Sequence, residues 1–204
     1  ISRIRAFSHN ARLYLLSEAV YGVSTGIFQL LFNFYVLSLG YNEAVLGNMV
    51  AARSMTSLIL ALPMGFIINR IGRRNAIALS IGGFAVSVAF MLLFPGNIMF
   101  LAMNILQGIA QSLGGVAMGP FLMDNSHEEE RTYLFSISSG MRMTAVSIGQ
   151  WIGGYLPTWF ALRLAIDAMD TQAYSLSLWT VSLSRLLAVL PMLLVVNKTN
   201  EGVR

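Results

Sequence analysis

The sequence contains no cysteine and little charge. None of its 204 residues is Cys, and Asp, Glu, Lys and Arg together make up 11%. Without thiols the chain has no disulfide framework, no thiolate chemistry and no cysteine-based metal site. Average soluble domains carry roughly 25% charged residues, so this chain has too few to cover a surface that faces water. With 56% hydrophobic residues, it is predicted to be an integral membrane protein that binds no nucleic acid.

Histidine is also scarce, which weighs against intramembrane catalysis. His9 and His127 both lie outside the apolar runs, whereas a rhomboid-type protease needs a buried histidine beside a buried serine. The His-Glu-x-x-His motif of a membrane metalloprotease and the Gly-Lys phosphate loop of an ATP-driven protein are both absent from the sequence. We therefore expect no enzymatic activity, no cofactor and no metal site.

Six apolar segments reach the length of about 20 residues that a membrane span requires. The predicted fold class is an all-α membrane protein with six transmembrane helices. In the connection between the last two spans, residues 158–170 have the composition of a short interfacial helix anchored by Trp159 and Phe160. The spans lie near residues 12–38, 44–68, 76–94, 98–123, 133–156 and 175–196, after a terminal segment at 1–11 and before a loop at 197–204.

The connections between these spans alternate in charge. Both ends and the connections after the second and fourth spans carry Lys or Arg, and the others are poor in these residues. The positive-inside rule then places both ends and the basic connections in the cytoplasm. We expect a multi-pass protein of the plasma (inner) membrane.

Polar residues recur at helical spacing in the first and fourth spans. Those of the first span fall within about a quarter of the helix circumference. Because polar groups in hydrocarbon need a partner or water, stripes of several turns favour a shared aqueous cavity over hydrogen bonds that only join helices. The stripes are Glu18, Gly22, Thr25, Gln29 and Asn33, and Asn104, Gln107, Gly108, Gln111, Gly115 and Met118.

Four ionisable residues fall within spans, namely Glu18, Arg53, Arg142 and Arg185. Each costs about 2.5–3.5 kcal/mol at a helix centre, so each needs a partner or a functional reason. Glu18 is the only acid well inside a span and Arg142 lies at a comparable depth, which favours an ion pair between them. For Arg53 and Arg185 two interpretations stay open: substrate binding, or snorkelling and packing hydrogen bonds.

The basic connection after the second span carries the pattern G-x-x-x-N-R-x-G-R-R. It resembles the signature loop of the major facilitator superfamily, G-x-x-x-D-[RK]-x-G-[RK]-[RK], with Asn69 in place of Asp. We expect Gly65 to let the second helix end closely packed and Gly72 to allow a tight turn. The resemblance implies that the loop latches onto the other half of a transporter. Its residues here are Gly65, Asn69, Arg70, Gly72, Arg73 and Arg74.

Two further patterns resemble those of the drug-exporting branches of this superfamily. Asn104, Gln107 and Gly108 match R-x-x-Q-G except that Asn104 replaces the Arg which those proteins tie to proton coupling. The fifth span resembles G-x(8)-G-P-x-x-G-G, with Gln150 in place of Pro; generic small-residue packing is the alternative. Its residues are Gly140, Gly149, Gln150, Gly153 and Gly154.

The resemblance covers the whole chain and implies the amino-terminal half of a transporter with two six-helix halves, each built from two three-helix inverted repeats. It implies a secondary active transporter that works by alternating access, with the lipid bilayer, a small-molecule substrate, a coupling ion (proton or sodium) and a second half as partners. That half is expected from the same gene, a separate chain or a second copy.

The activity we expect is ion- or proton-coupled export of a small amphipathic or hydrophobic compound by an antiporter. The alternatives are a transporter of nutrients, sugars or lipids from the same superfamily and, from another class, a non-transporting scaffold. A scaffold does not need Glu18 or two polar stripes.

Overall fold

The computed structural model describes residues 7–195, which form six long α-helices and contain no strand. The six-helix, all-α architecture predicted from the sequence is confirmed. The helices are α1 (His9–Ser38), α2 (Glu43–Ile71), α3 (Arg73–Leu93), α4 (Asn97–Asp124), α5 (Glu128–Leu164) and α6 (Thr171–Leu194).

Short polar connections set where these helices begin and end. The side chains of Ser8, Asn42 and Asp170 each accept a backbone N–H from the first turn of α1, α2 and α6 respectively, which supplies a partner for an otherwise unpaired donor. Gly72 alone separates α2 from α3, with φ at 84°. Any other residue would be strained in this left-handed region, so Gly72 makes the tight turn predicted for it.

The helix contacts follow a twofold pattern. The helices form two triplets, α1–α3 and α4–α6. The first helix of each triplet packs mainly against the second and third helices of the other: α1 contacts α5 and α6, while α4 contacts α2 and α3. The third helices, α3 and α6, also pack together. This exchange is the arrangement expected of two intertwined inverted repeats, and it brings all six helices around one central space.

Two apolar clusters mark the two ends of the bundle. One joins Phe7, Ile68, Phe121 and Val195, so the start of α1, the α2–α3 turn and the ends of α4 and α6 lie together. This is the basic end, since it carries Arg70, Arg73 and Arg74. The other cluster centres on Phe100 and gathers residues at the far ends of α1 and α3. The described ends of the chain therefore meet on one side of the bundle. Residues 1–6 of the predicted terminal segment and the loop predicted at 197–204 lie outside the described residues.

Helix α5 differs from its predicted span at both ends. Its 37 residues correspond to about 55 Å, longer than a hydrocarbon core of about 30 Å. The helix continues through Pro157 to Leu164, so Trp159 and Phe160 belong to α5 and the separate interfacial helix predicted for residues 158–170 is wrong. At the other end Glu128–Glu130 form its first turn, where the positive end of the helix dipole stabilises acidic side chains.

Length and apolar composition are sufficient for membrane crossing in five of the helices, and α5 is the exception. Its sequence carries Arg142 and several hydroxyl side chains between flanking charges. A helix of this composition is stable in a membrane when its polar side is covered by protein or lines a cavity.

Glycines let α1 and α5 pack with their backbones close together. A Cβ at Gly22 would lie 2.6 Å from that of Ala145, and one at Gly26 would overlap the α5 backbone. On α5, a Cβ at Gly149 would overlap the Val23 carbonyl, and one at Gly153 would lie 3.3 Å from the Cα of Ile27. Small residues four apart on both helices thus form the contact.

Only part of the glycine pattern read from the fifth span takes part in this contact. A Cβ at Gly140 or Gly154 would meet no atom within 4 Å among the described residues, and Gln150 is exposed. Gly149 and Gly153 share one helix face because they are four residues apart, whereas Gly140 and Gly154 point elsewhere.

We predict that Gly149→Ala destabilises the protein, because the added methyl group forces α1 and α5 apart. Overpacking of this kind costs about 1–3 kcal/mol and should lower the melting temperature of the purified complete protein. Gly154→Ala is the matched control on the same helix, where alanine should be neutral or stabilising. Equal behaviour of the two variants would contradict the packing interpretation.

Candidate functional site

A cavity of about 490 Å³ lies between the helices, and every one of the six contributes to its wall. Its lining mixes charged, amide, hydroxyl and aromatic side chains. The lining residues are Tyr14, Glu18, Tyr21, Thr25, Phe28, Gln29, Arg53, Ser57, Ile77, Ser80, Ile81, Phe84, Gln111, Gly114, Gly115, Met118, Arg142, Val146 and Arg185.

Three residues of the polar stripe on α1 line the cavity: Glu18, Thr25 and Gln29. They are seven and four residues apart, so they share one helix face. Gly22, predicted to belong to this wall, packs instead against Ala145 on α5. Asn33 is exposed one turn further along and lies outside the lining.

The stripe on α4 divides between two environments. Gln111, Gly115 and Met118 line the cavity. Asn104 and Gln107 lie outside the lining, and both are fully buried. The Asn104 amide donates to the Phe100 carbonyl at 2.9 Å.

Gln107 and Gly108 serve the contact between α2 and α4. The Gln107 carbonyl accepts a hydrogen bond from Arg53, and a Cβ at Gly108 would lie 2.5 Å from the Arg53 carbonyl oxygen. The prediction that Asn104, Gln107 and Gly108 continue the cavity wall is therefore wrong for this structure. The polar stripe on α4 therefore faces the cavity in its second half, whereas Gln107 and Gly108 in its first half contact α2.

The structure contains the ion pair predicted between Glu18 and Arg142. The Arg142 Nε donates to Glu18 Oε1 at 2.5 Å, and a second guanidinium nitrogen lies against the Met118 sulfur. The two side chains are unequally buried, at 8% exposed for Glu18 and 41% for Arg142. Tyr14 lies close to both charges and is itself buried.

Arg53 reaches the cavity from α2. Its Nη1 lies 3.4 Å from the Gln107 carbonyl oxygen, a long hydrogen bond to a neutral group. The residue is half-buried and near enough to Tyr21 for the two side chains to interact electrostatically. Arg53 therefore makes a packing hydrogen bond and also lies in the cavity wall. The substrate-binding role that the sequence left open stays a prediction.

Arg185 is fully buried on α6. Its guanidinium carbon lies 3.6 Å from the ring centre of Phe84 and 4.6 Å from that of Tyr21, and its Nη2 donates to the Thr25 hydroxyl at 2.9 Å. Cation–π contacts of this kind contribute about 0.5–2 kcal/mol each. These neutral partners hold the side chain in place without neutralising its charge.

The signature loop ties the basic end of the bundle together through two of its arginines. Arg73 donates to the Pro120 carbonyl at 3.0 Å and forms an ion pair with Asp124, both at the end of α4. Arg74 donates to the carbonyls of Met192 and Leu193 at the end of α6. Cations are favoured there because the last carbonyls of a helix lack partners and carry its negative dipole end.

The other residues of this loop face outward. Asn69 and Arg70 are exposed, and a Cβ at Gly65 would meet no atom within 4 Å among the described residues. The close packing predicted at Gly65 is therefore not found within residues 7–195. The loop divides into an inward arginine pair and an outward surface.

Several cavity residues were not singled out as site residues from the sequence. Ser80 and Phe84 come from α3, a largely apolar span, and Ser57 comes from α2, for which no polar stripe was predicted. Short hydroxyl and aromatic side chains occur on all faces of membrane helices, so their spacing alone gives no signal. Tyr14 and Tyr21 lie four residues before and three residues after Glu18, so their helical spacing could have placed them in the cavity wall.

Residues 14–201 match the Major Facilitator Superfamily. The chain belongs to the major facilitator superfamily. The resemblance carried by the signature loop is therefore confirmed, and membership identifies an integral, multi-pass membrane protein of a transporter family.

The relatives of this superfamily chain agree with that assignment. An uncharacterized MFS-type transporter, YqjV of Bacillus subtilis (strain 168), is 27% identical over 121 residues, covering 59% of this chain and 28% of that protein. The chain thus spans well under half of the relative's length in this match.

Solved structures share the fold at low identity. The chain is similar to a bacterial homolog of the human lysosomal transporter Spinster in two inward-facing crystal structures. The occupied form has a TM-score of 0.70 at 14% identity, with 92% of this chain and 43% of that one covered. The unoccupied form has a TM-score of 0.72 at 14% identity, with coverages of 95% and 44%.

We predict that Glu18 and Arg142 are energetically coupled. Arg142→Gln leaves a buried carboxylate without its counter-charge, whereas Glu18→Gln leaves a guanidinium that is partly exposed, so Arg142→Gln should lower the melting temperature more. In the double variant the loss should be smaller than the sum of the two, by about 0.5–3 kcal/mol. Additive losses in the purified complete protein would rule out the pair.

Proposed function

We propose that this chain forms the amino-terminal half of a secondary active transporter that works by alternating access. The observation that carries the proposal is the cavity, in which an acid–arginine pair from α1 and α5 lies inside a membrane-spanning bundle. Ionisable groups at such a position are costly and mark ion or substrate pathways in membrane proteins. A second six-helix half, from the same gene, a separate chain or a second copy, would close the other side of the cavity.

Glu18 is the residue we propose for ion coupling, with a proton favoured over sodium. It is the only carboxylate among the cavity-lining residues. Protonation would neutralise Glu18, release Arg142 from the ion pair and change the charge of the cavity by one unit. Such a change can favour one orientation of the transporter over the other, provided that the two orientations bind the proton with different affinity.

For the substrate and direction, we propose export of a small amphipathic compound. The cavity has apolar walls from Phe28, Ile77 and Ile81 beside its polar groups, and its volume lies within the range of about 300–1,000 Å³ that small-molecule sites occupy. The basic end would face the cytoplasm of a plasma (inner) membrane, as the positive-inside rule requires.

The test is transport by the complete protein in proteoliposomes. We expect uptake or efflux of an amphipathic substrate driven by a proton gradient. Glu18→Gln should abolish gradient-driven transport and retain substrate exchange across the membrane, because exchange needs alternating access but no net proton movement. Glu129→Gln, which removes an exposed carboxylate from the start of α5, is the matched control and should transport normally.

Two outcomes would count against the proposal. If the folded complete protein neither binds nor moves amphipathic compounds, the transporter interpretation fails. If Glu18→Gln keeps full gradient-driven transport, Glu18 is not the coupling residue.

A further prediction concerns Asn69, which belongs to the signature loop that we propose latches onto the other half. Asn69 is exposed beside the α2–α3 turn, where it can accept a hydrogen bond but lacks the charge of the family's Asp. In the family this Asp contacts the N-terminus of a helix in the other half. A charge at such a position contributes about 0.3–1 kcal/mol when exposed, so Asn69→Asp should shift the outward-facing population by roughly two- to fivefold.

Labelling of single cysteines at the two mouths of the cavity measures this shift, and this half contributes no cysteine of its own. Asn75→Asp is the matched control, because it adds the same charge at an exposed position after the same turn. Unchanged labelling in Asn69→Asp, or an equal shift in both variants, would contradict the latch.

A further inference from the structure

The cavity carries more positive charge than its own acid neutralises. Its charged lining residues are one carboxylate, Glu18, and three guanidinium groups, Arg53, Arg142 and Arg185. One negative and three positive charges leave a net charge of +2. Glu18 is engaged by Arg142, so the surplus rests on Arg53 and Arg185.

Arg185 is fully buried yet has no acidic partner in the described part of the chain. Its Nε and Nη1 lack hydrogen-bond acceptors among residues 7–195. Phe84 and Tyr21 interact with the guanidinium through their rings, and the Tyr21 hydroxyl, which is neutral, makes a further polar contact with it. A buried charge left in this condition is destabilising unless something else compensates it.

Arg53 places a second charge near the first. Its positive charge interacts unfavourably with that of Arg185, and the hydrogen bond that its side chain makes within residues 7–195 is the long contact with neutral Gln107. Two like charges held together at a cavity wall attract an anion more strongly than either does alone, especially where water is excluded. Guanidinium groups also match the geometry of carboxylate and phosphate oxygens.

The cavity that holds these arginines also has apolar lining residues. Phe28, Phe84, Ile81 and Val146 line the same cavity. A ligand that places an oxyanion by the arginines would therefore lay the rest of its body against aromatic and aliphatic side chains.

We propose that Arg53 and Arg185 form an oxyanion subsite that selects amphipathic substrates carrying a carboxylate or phosphate group. Arg53, which is half-buried, contacts the anion directly, and the fully buried Arg185 attracts it from behind the cavity surface. This inference rests on the proposed transport function, because it names the substrate class of the same cavity.

Equilibrium binding to the purified complete protein in a neutral detergent tests the subsite without requiring transport. The probes share an eight-carbon chain and differ in head group: octyl phosphate, octanoate, octanol and octyltrimethylammonium. Inorganic phosphate is added to separate an amphipathic ligand from a free anion. We expect octyl phosphate to bind most tightly, octanoate next, and the neutral, cationic and inorganic probes at least about tenfold more weakly.

Variants identify the residues responsible. Arg53→Gln should weaken octyl phosphate binding by about 10- to 100-fold, as expected for the loss of a hydrogen-bonded charge. Arg185→Gln should also weaken it, whereas Arg185→Lys, which keeps the charge, should weaken it less. Arg163→Gln is the matched control, since Arg163 lies over Trp159 at the far end of α5, outside the cavity lining, and it should leave binding unchanged.

Stability without ligand separates a binding role from a purely structural one. If Arg185 is kept for the ligand, Arg185→Gln relieves an uncompensated buried charge and should leave the melting temperature equal or higher while abolishing its rise with octyl phosphate. A large fall in melting temperature, with normal anion binding by the folded remainder, would show a structural arginine and overturn its part in the subsite.

The remaining outcomes also decide the question. If a carboxylate elsewhere in the complete protein neutralises the two arginines, octyl phosphate will bind no more tightly than octanol, and the proposal is wrong. Inorganic phosphate binding as tightly as octyl phosphate would overturn the amphipathic class. Proton-driven transport of a cation without anion binding would count against this inference alone, whereas anion binding without any transport would count against the proposed function alone.

Discussion

The close contact between α1 and α5 supports the rest of the site. Gly26 and Gly149 let the two backbones approach where any side chain would overlap the opposite helix. The approach places Glu18 and Arg142, from positions more than 100 residues apart in the chain, within hydrogen-bonding distance. Without that pair Glu18 would be a lone buried carboxylate, which is strongly destabilising.

The exchange of helices between the two triplets gives the cavity its position. Because α1 and α4 each pack against the second and third helices of the other triplet, the space between them is lined by all six helices. Arg73 and Arg74 hold the ends of α4 and α6 at the basic end. The surface of the same loop that carries Asn69 remains open for contact outside this chain.

The charges that line the cavity are costly to the stability of the fold. An ion pair and two further arginines occupy a region where each charge is costly. Protein stability is small compared with such costs, so a surplus of buried charge persists where an interaction with another molecule offsets it. The net charge of +2 on its lining residues distinguishes this cavity from one lined only by neutral polar groups.

Much of the fold followed from the sequence because bilayer thickness and the cost of burying polar groups act on local stretches of chain. Apolar length located six helices, and the alternation of basic connections agrees with their shared basic end. Comparable depth of opposite charges was enough to pair Glu18 with Arg142. The turn at Gly72 was also predictable, since glycine readily adopts the left-handed backbone conformation that a tight turn between two helices requires.

What only the tertiary structure decided is which neighbour each helix face meets. Asn104 and Gln107 continue the polar stripe of Gln111, yet both are fully buried, and Gln107 accepts a hydrogen bond from Arg53 on α2. The polar contribution of α3 and the extension of α5 to Leu164 were likewise invisible in the spacing. Helical periodicity fixes the angular position of a side chain about the axis of its helix. Which positions face the cavity depends on how the axes of the six helices cross.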